Sequence, residues 1–247
     1  MPPGADKGPI ARRTRGSSAL RLRRRGRGKF LGTSGIQPSE SRVSVIIPVV
    51  NERRTIADVM RQCRKVARQT EMIVVANGTT DGTDRLAEQL GAKVIRFDEP
   101  LGHDVGRSIG AMHATGDILL FTDGDLVIPA RKLLPFVRAV EAGADLALND
   151  YSGPTETVAV HNVVLAKHAL NILLGRPDLQ GASPTAVPHA LSRKALSILG
   201  AEALSVPPVA LAMAIFHGLN VIRAAPVNVR LLNPVRRKSK RKASDHL

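Results

Sequence analysis

The chain has no tryptophan, a single tyrosine (Tyr151), five phenylalanines and a single cysteine (Cys63) among its 247 residues. So few aromatics exclude a protein that holds single-stranded nucleic acid by stacking bases on ring platforms. One thiol excludes an internal disulfide framework and a cysteine-rich zinc site. Long apolar runs are missing too. Residues 203–216 are interrupted by Pro207 and Pro208, and 158–174 carry His161, Lys167 and His168. Neither reaches the about 20 apolar residues that a membrane span needs. The first residues lack the apolar core of a secretory signal. Hydrophobic residues are nonetheless 43% of the chain, which excludes global disorder.

Acidic residues are scarce at both ends. The net charge is +15, of which residues 1–40 hold +8 and residues 235–247 hold +5. The basic residues between Arg12 and Lys29 stand among glycine and serine without apolar periodicity, so 1–40 and 235–247 are expected to be disordered basic tails. Such tails are attracted to anionic lipid or nucleic acid, at about 1 kcal/mol per basic residue near a charged membrane. Residues 41–234 are expected to form a single domain, with a half at 43–150 and a second at 151–232.

The interior alternates between two periodicities. Short β-branched or aliphatic runs at Val43–Ile47, Met72–Val75, Lys93–Phe97, Asp117–Phe121 and Asp145–Leu148 read as buried strands. Helical spacing follows over 52–69, from Asp81 to Gly91, over 105–114 and from Pro129 to about Gly143. This alternation predicts an α/β fold: a mostly parallel, doubly wound sheet with helices on both faces. Beyond it, helices are expected over 157–174, 193–199 and 208–217, and closing strands at Val221–Ile222 and Val227–Leu231.

Parallel sheets of this kind bind ligands at the carboxyl ends of their strands. Three predicted strand ends carry polar residues: Asn51 and Glu52, Asn77 and Gly78, and Asp123-Gly124-Asp125. Two carboxylates flanking a glycine suit a hard cation such as Mg²⁺ or Mn²⁺, which neutralises a diphosphate leaving group.

Four blocks then appear in order: Val45-Ile-Ile-Pro-Val-Val-Asn-Glu52, Ile73-Val-Val-Ala-Asn-Gly-Thr-Thr-Asp-Gly-Thr83, Gly102-His-Asp-Val-Gly-Arg-Ser-Ile-Gly-Ala111 and Ala114-Thr-Gly-Asp-Ile-Leu-Leu-Phe-Thr-Asp-Gly-Asp125. Over about 43–130 the chain resembles glycosyltransferase family 2, the nucleotide-sugar-dependent transferases of GT-A fold. The resemblance implies transfer of a sugar from a nucleotide-diphosphate donor to an acceptor. It implies that Pro48, Val50, Asn51 and Glu52 border the base and ribose, that Arg107 lies near the donor, and that Asp123 and Asp125 hold the metal.

Two positions depart from the family pattern. Ala76 and Asn77 stand where the family commonly has an aspartate on the base; the Asn77 amide can still hydrogen-bond a base. Val206, Pro207 and Pro208 stand where many members carry a Glu-Asp pair that supplies the catalytic base. Asp150, Asp178 and His189 are the substitute candidates. Some other GT-A enzymes that act with retention on small phosphorylated acceptors also lack that base, and an acceptor that is itself a phosphate, such as a polyprenyl phosphate, is already ionised and needs none. Arg176, Arg193 and Lys194 are then candidates to hold it, and the basic tails would keep a cytoplasmic enzyme at the inner face of the membrane. The alternatives are a nucleotide-sugar-binding protein without turnover and a tail-mediated nucleic-acid- or membrane-associated protein. A nucleotidyltransferase is disfavoured, because the first strand end lacks a glycine-rich, lysine-containing phosphate loop.

Overall fold

The computed structural model describes residues 37–153 and 160–232. The basic stretches 1–36 and 233–247, and the start of the helix expected from 157, lie outside the described residues.

Seven strands form one sheet in the order β3-β2-β1-β4-β6-β5-β7. They are β1 Ser39–Val49, β2 Ala67–Asn77, β3 Lys93–Phe97, β4 Ile118–Phe121, β5 Leu146–Asn149, β6 His189–Ser192 and β7 Val221–Ala225. Only β6 runs against the others, antiparallel to both β4 and β5. The helices are α1 Ile56–Cys63, α2 Thr83–Gln89, α3 His103–Met112, α4 Ala130–Glu141, α5 Asn162–Leu173, α6 Arg193–Leu199, α7 Pro207–Phe216 and the single turn α8 Val229–Leu232. The expected mostly parallel α/β sheet with helices on both faces is therefore present. One apolar layer joins α1, α2 and α4 to the sheet through Ile56, Met60, Ala87, Leu133 and Phe136. The other joins α3, α6 and α7 through Ala111, Leu196, Leu199, Ala210 and Leu211.

Several boundaries differ from the sequence reading. Ser39 and Glu40, placed in the N-terminal tail, open β1, because the Ser39 amide donates to the Val66 carbonyl and Ser39 aligns with Ala67. That pairing also ends the first helix early: Ala67, Arg68 and Gln69 belong to β2 and not to α1. Val227–Leu231 is not a strand. The Asn149 side chain donates to the Val227 carbonyl and accepts from its amide, taking the place of a backbone ladder, and the chain turns into α8. β6 went unrecognised because four residues headed by a histidine carry too little periodicity.

The sheet fixes where a ligand can enter. From β1 the chain builds outward to β2 and β3 on one side, and then returns to β4 on the other. The carboxyl ends of β1 and β4 are therefore the switch point of the sheet, where a crevice opens. α3 carries its N-terminal end toward the same place. Gly106 packs on Pro48 near the end of β1, and Gly110 one turn later packs on Ile46 further back. Hydrogens in place of Cβ atoms let this helix lie directly on the strand.

Candidate donor crevice at the strand ends

Asp123 lies two residues beyond β4 and is buried. Its Oδ1 accepts from Arg107 Nη2 at 3.1 Å, and Arg107 Nη1 donates to Asp104 Oδ1 at 2.6 Å. Arg107, on α3, is 3% exposed. A guanidinium so deep in the protein needs both carboxylates, since an unpaired buried charge costs several kcal/mol. Its Nε has no partner among the described residues, nor has the buried hydroxyl of Thr122 beside Asp123. Buried polar groups are normally satisfied, so two open polar atoms next to Asp123 mark a place for a polar ligand.

The loop Asp123–Asp125 is pressed against the end of β1. A Cβ on Gly124 would stand 2.5 Å from Val49 Cγ1, and the Gly124 carbonyl accepts from Thr55 Oγ1 at 2.7 Å. Only glycine permits this approach. The tips of β1 and β2 are tied in turn. Asn51 Oδ1 accepts from the Thr80 amide at 2.9 Å and the Asp81 amide at 3.2 Å. Asn51 itself has φ 56°, a left-handed conformation that asparagine tolerates better than most residues. Thr79 Oγ1 donates to the Val49 carbonyl at 3.3 Å. Three strand ends thus share one crevice, with Val50 and Asn51 exposed on its rim and Glu52 half-buried beside Gly124.

The donor set fits a metal that arrives with its ligand. Asp123 and Asp125 supply hard oxygens, but among the described residues no three of His, Cys, Asp and Glu gather into a cage. Mg²⁺ and Mn²⁺ commonly take one or two carboxylates and complete their shells with phosphate oxygens and water. The open Arg107 Nε and Thr122 hydroxyl suit a neighbouring phosphate.

Several expected site residues have other work. Pro48 is buried beneath Gly106 of α3. Asn77 is not free to read a base: it is buried, its Nδ2 donates to the Gly102 carbonyl at 2.9 Å, and its Oδ1 accepts from the Leu101 amide at 2.5 Å. His189 is at the crevice floor, paired with Phe121 across β4 and β6 and stacked on its ring at 4.7 Å. Burial first, and the Arg107 charge second, push its pKa down to about 3. The imidazole is neutral and a weak proton acceptor, which removes the base role expected of it. Asp150 stands at the end of β5, on the rim, and is paired with Arg223 at 2.7 Å.

Asp178, Arg176, Arg193 and Lys194 are not in the crevice. Arg176 binds Asp178 through two nitrogens and donates to the carbonyl of Val221, the first residue of β7. Hydrogen bonding to Arg176 holds the Asp178 pKa below its ordinary value. Arg193 caps the Ala114 and Gly116 carbonyls ahead of β4, and Lys194 pairs with Asp145 ahead of β5 at 3.1 Å. All four sit at the amino ends of the parallel strands, across the sheet from Asp123. β6 runs backward, so residues that follow it emerge at the wrong edge. Their catalytic and acceptor roles are therefore withdrawn. Sequence reasoning also missed Asp104 and Thr122; the three-residue spacing of Asp104 and Arg107 on one helix was the available signal for the former.

Residues 44–157 match the model of glycosyl transferase family 2. An undecaprenyl-phosphate 4-deoxy-4-formamido-L-arabinose transferase of Klebsiella pneumoniae is 29% identical over 119 residues, covering 44% of this chain and 36% of that protein. A glucosyl-3-phosphoglycerate synthase of Mycolicibacterium smegmatis is 34% identical over 104 residues, covering 38% and 34% respectively. The chain therefore spans little more than a third of the length of these relatives. A crystal structure of the Mycobacterium tuberculosis glucosyl-3-phosphoglycerate synthase, in complex with Mn²⁺, UDP and phosphoglyceric acid, superposes with a TM-score of 0.54 at 25% identity, covering 75% of this chain and 67% of that one. Motif order, sheet topology and these likenesses agree that residues 44–157 are similar to glycosyl transferase family 2.

Proposed function

We propose that the protein is a glycosyltransferase that moves a sugar from a nucleotide-diphosphate donor to an acceptor bearing a phosphate. The observation that carries this reading is the buried Arg107–Asp123 pair at the end of β4, with open polar atoms beside it, in a loop closed against the tip of β1. Asp123 and Asp125 would hold Mg²⁺ or Mn²⁺ there. The ion supplies positive charge against the charge that grows on the departing diphosphate. Arg107, fixed from two sides, supplies a second positive charge without reorganising during the reaction. Asn51 ties the tips of β1 and β2 and Thr55 ties the segment after β1 to the loop after β4, so the donor's base and diphosphate meet one rigid surface. The UDP and Mn²⁺ in the crystal structure of the solved relative support a uridine nucleotide as the first donor to try.

An ionised acceptor explains the missing base. His189 is too weak, Asp178 is at the far edge, and Pro207 and Pro208 open α7 where a Glu-Asp pair is common in the family. A phosphate oxygen attacks without losing a proton. The relative named for undecaprenyl phosphate supports an acceptor of this chemistry, and the one named for phosphoglycerate supports an acceptor that bears a phosphate. The basic stretches at both ends fit a peripheral position at an anionic membrane.

Thermal unfolding with UDP or UDP-sugars, with and without Mn²⁺, tests the reading. A ligand present at a hundred times its Kd stabilises by about 2.7 kcal/mol. UDP with Mn²⁺ is expected to raise Tm, and Asp123→Asn to lose that rise while retaining the native circular dichroism. If no nucleoside diphosphate shifts Tm in the presence of Mn²⁺, the proposal fails.

A further inference from the structure

The exposed apolar side chains are distributed unevenly over the two faces of the sheet. α5 and α7 present Leu165, Ile172, Leu173, Val209 and Phe216 to solvent, and α6 adds Ile198. Leu173 is 84% exposed and Phe216 is 85% exposed. α6 and α7 belong to one core layer, and Leu174, just past α5, packs on the same layer. These elements therefore share a face. On the opposite face, α1, α2 and α4 contribute no large exposed apolar side chain among the described residues, and the single turn α8 contributes Leu231. Charge follows the reverse pattern. The 22 residues of α5 and α7 include one Lys and no Asp, Glu or Arg, whereas the 20 residues of α1 and α4 include six charged side chains.

A helix whose solvent side is as apolar as its buried side lacks a partner. We infer that the α5–α6–α7 face lies on an anionic lipid bilayer, with its exposed side chains in the headgroup and acyl boundary and the basic stretches at both chain ends on the lipid phosphates. Two features favour lipid as the occupant. The apolar face carries no acidic side chain on its three helices and only Lys167, Arg193 and Lys194 as basic ones, while +13 of the +15 net charge lies in 1–40 and 235–247, the two-signal combination that makes peripheral anchoring stable. A second copy on this face would bring two chains of charge +15 together, which opposes association. The orientation is also productive. Gly153, three residues past Asp150 at the end of β5, packs against Val164 in the first turn of α5, so this face begins at the crevice rim. An acceptor anchored in lipid would arrive from that side. This deepens the membrane position given above and rests on it only for that last point.

The test is co-sedimentation of the full chain with phosphatidylcholine vesicles, with and without phosphatidylglycerol. The wild type is expected to bind the anionic vesicles and to lose part of that binding at high salt. The variant Leu165→Ser, Ile172→Ser, Leu173→Ser, Phe216→Ser is expected to partition roughly a hundredfold less, from the apolar area withdrawn. The pair Leu173→Ser, Phe216→Ser, at the two most exposed positions, should show the same direction with unchanged circular dichroism. Equal binding by wild type and variants, or no binding by wild type, overturns the proposal. So does a wild-type dimer in sedimentation velocity that these substitutions make monomeric, because the face would then belong to a second copy. Binding of UDP with Mn²⁺, measured in the same samples, reads the crevice separately: vesicle binding without nucleotide binding would sink the transferase reading alone.

Discussion

Asn77→Asp changes one atom type in the buried clamp that fixes the start of α3. In the wild type, Asn77 Nδ2 donates to the Gly102 carbonyl and Oδ1 accepts from the Leu101 amide. An ionised Asp keeps the second bond and sets a negative oxygen against the Gly102 carbonyl. A lost buried hydrogen bond with an unsatisfied acceptor costs about 1–3 kcal/mol, and the desolvated charge adds to it. The expected destabilisation at pH 8 is about 3 kcal/mol. A protonated Asp can donate to Gly102, so folding raises the pKa of the new carboxyl above its unfolded value of about 3.9. The deficit is therefore absent below pH ~4, grows as pH rises between the unfolded and folded pKa values, and is constant above the latter. Urea unfolding from pH 4.5 to 8, with Asn77→Ala as the control whose deficit stays constant, measures this. Hydrogen exchange at Leu101 should accelerate in both variants at pH 8, and slow again at low pH, relative to wild type, only in Asn77→Asp. A pH profile parallel to wild type, or unchanged exchange at Leu101, would refute the clamp.

Gly124→Ala places a methyl group against Val49 and should displace the Asp123–Asp125 loop at a cost of about 1–3 kcal/mol; calorimetric titration is expected to show Mn²⁺-dependent UDP binding falling at least tenfold. His189, with its folded pKa depressed to about 3, binds its proton more readily when unfolded, so it destabilises the protein progressively as pH falls below 6.5. At pH 5 the deficit is about 2 kcal/mol, and His189→Phe should flatten the dependence of Tm between pH 7 and 5; a slope as steep as wild type would count against it. Cys63 is buried, with its thiol pKa pushed up to about 12 by desolvation, so a thiol reagent at pH 8 should modify it only at the rate of unfolding. Rapid labelling under native conditions would contradict that burial.

Much of the crevice was readable because strand ends are local events. Val43–Ile47 and Ile118–Phe121 are buried apolar runs, and the polar residues that follow them must emerge at a carboxyl end. Asp123 and Asp125 could be assigned this way, Arg107 on α3 only through the family resemblance, and the structure brings Arg107 and Asp123 into contact. The partners of Asn77 were not readable. Its amide looks equally suited to a base and to the backbone, and only the approach of the Pro100–Gly102 segment decides between them. Asp178 and Arg176, two residues apart, looked like site chemistry and are a local ion pair.

The amino-acid sequence alone determined the alternating strands and helices, and therefore the parallel sheet, the end of it that opens as a crevice, and the aspartates that stand there. Apolar periodicity and turn residues act within a few positions of one another, so they survive in a linear reading. Tertiary structure decided which charged residues face that crevice. The direction of β6 sends Arg193 and Lys194 to the opposite edge, burial beside Arg107 silences His189, and the packing of one layer leaves α5 and α7 with bare apolar surfaces. Strand direction, desolvation and the absence of a packing partner are properties of segments far apart in the chain, and they exist only once those segments meet.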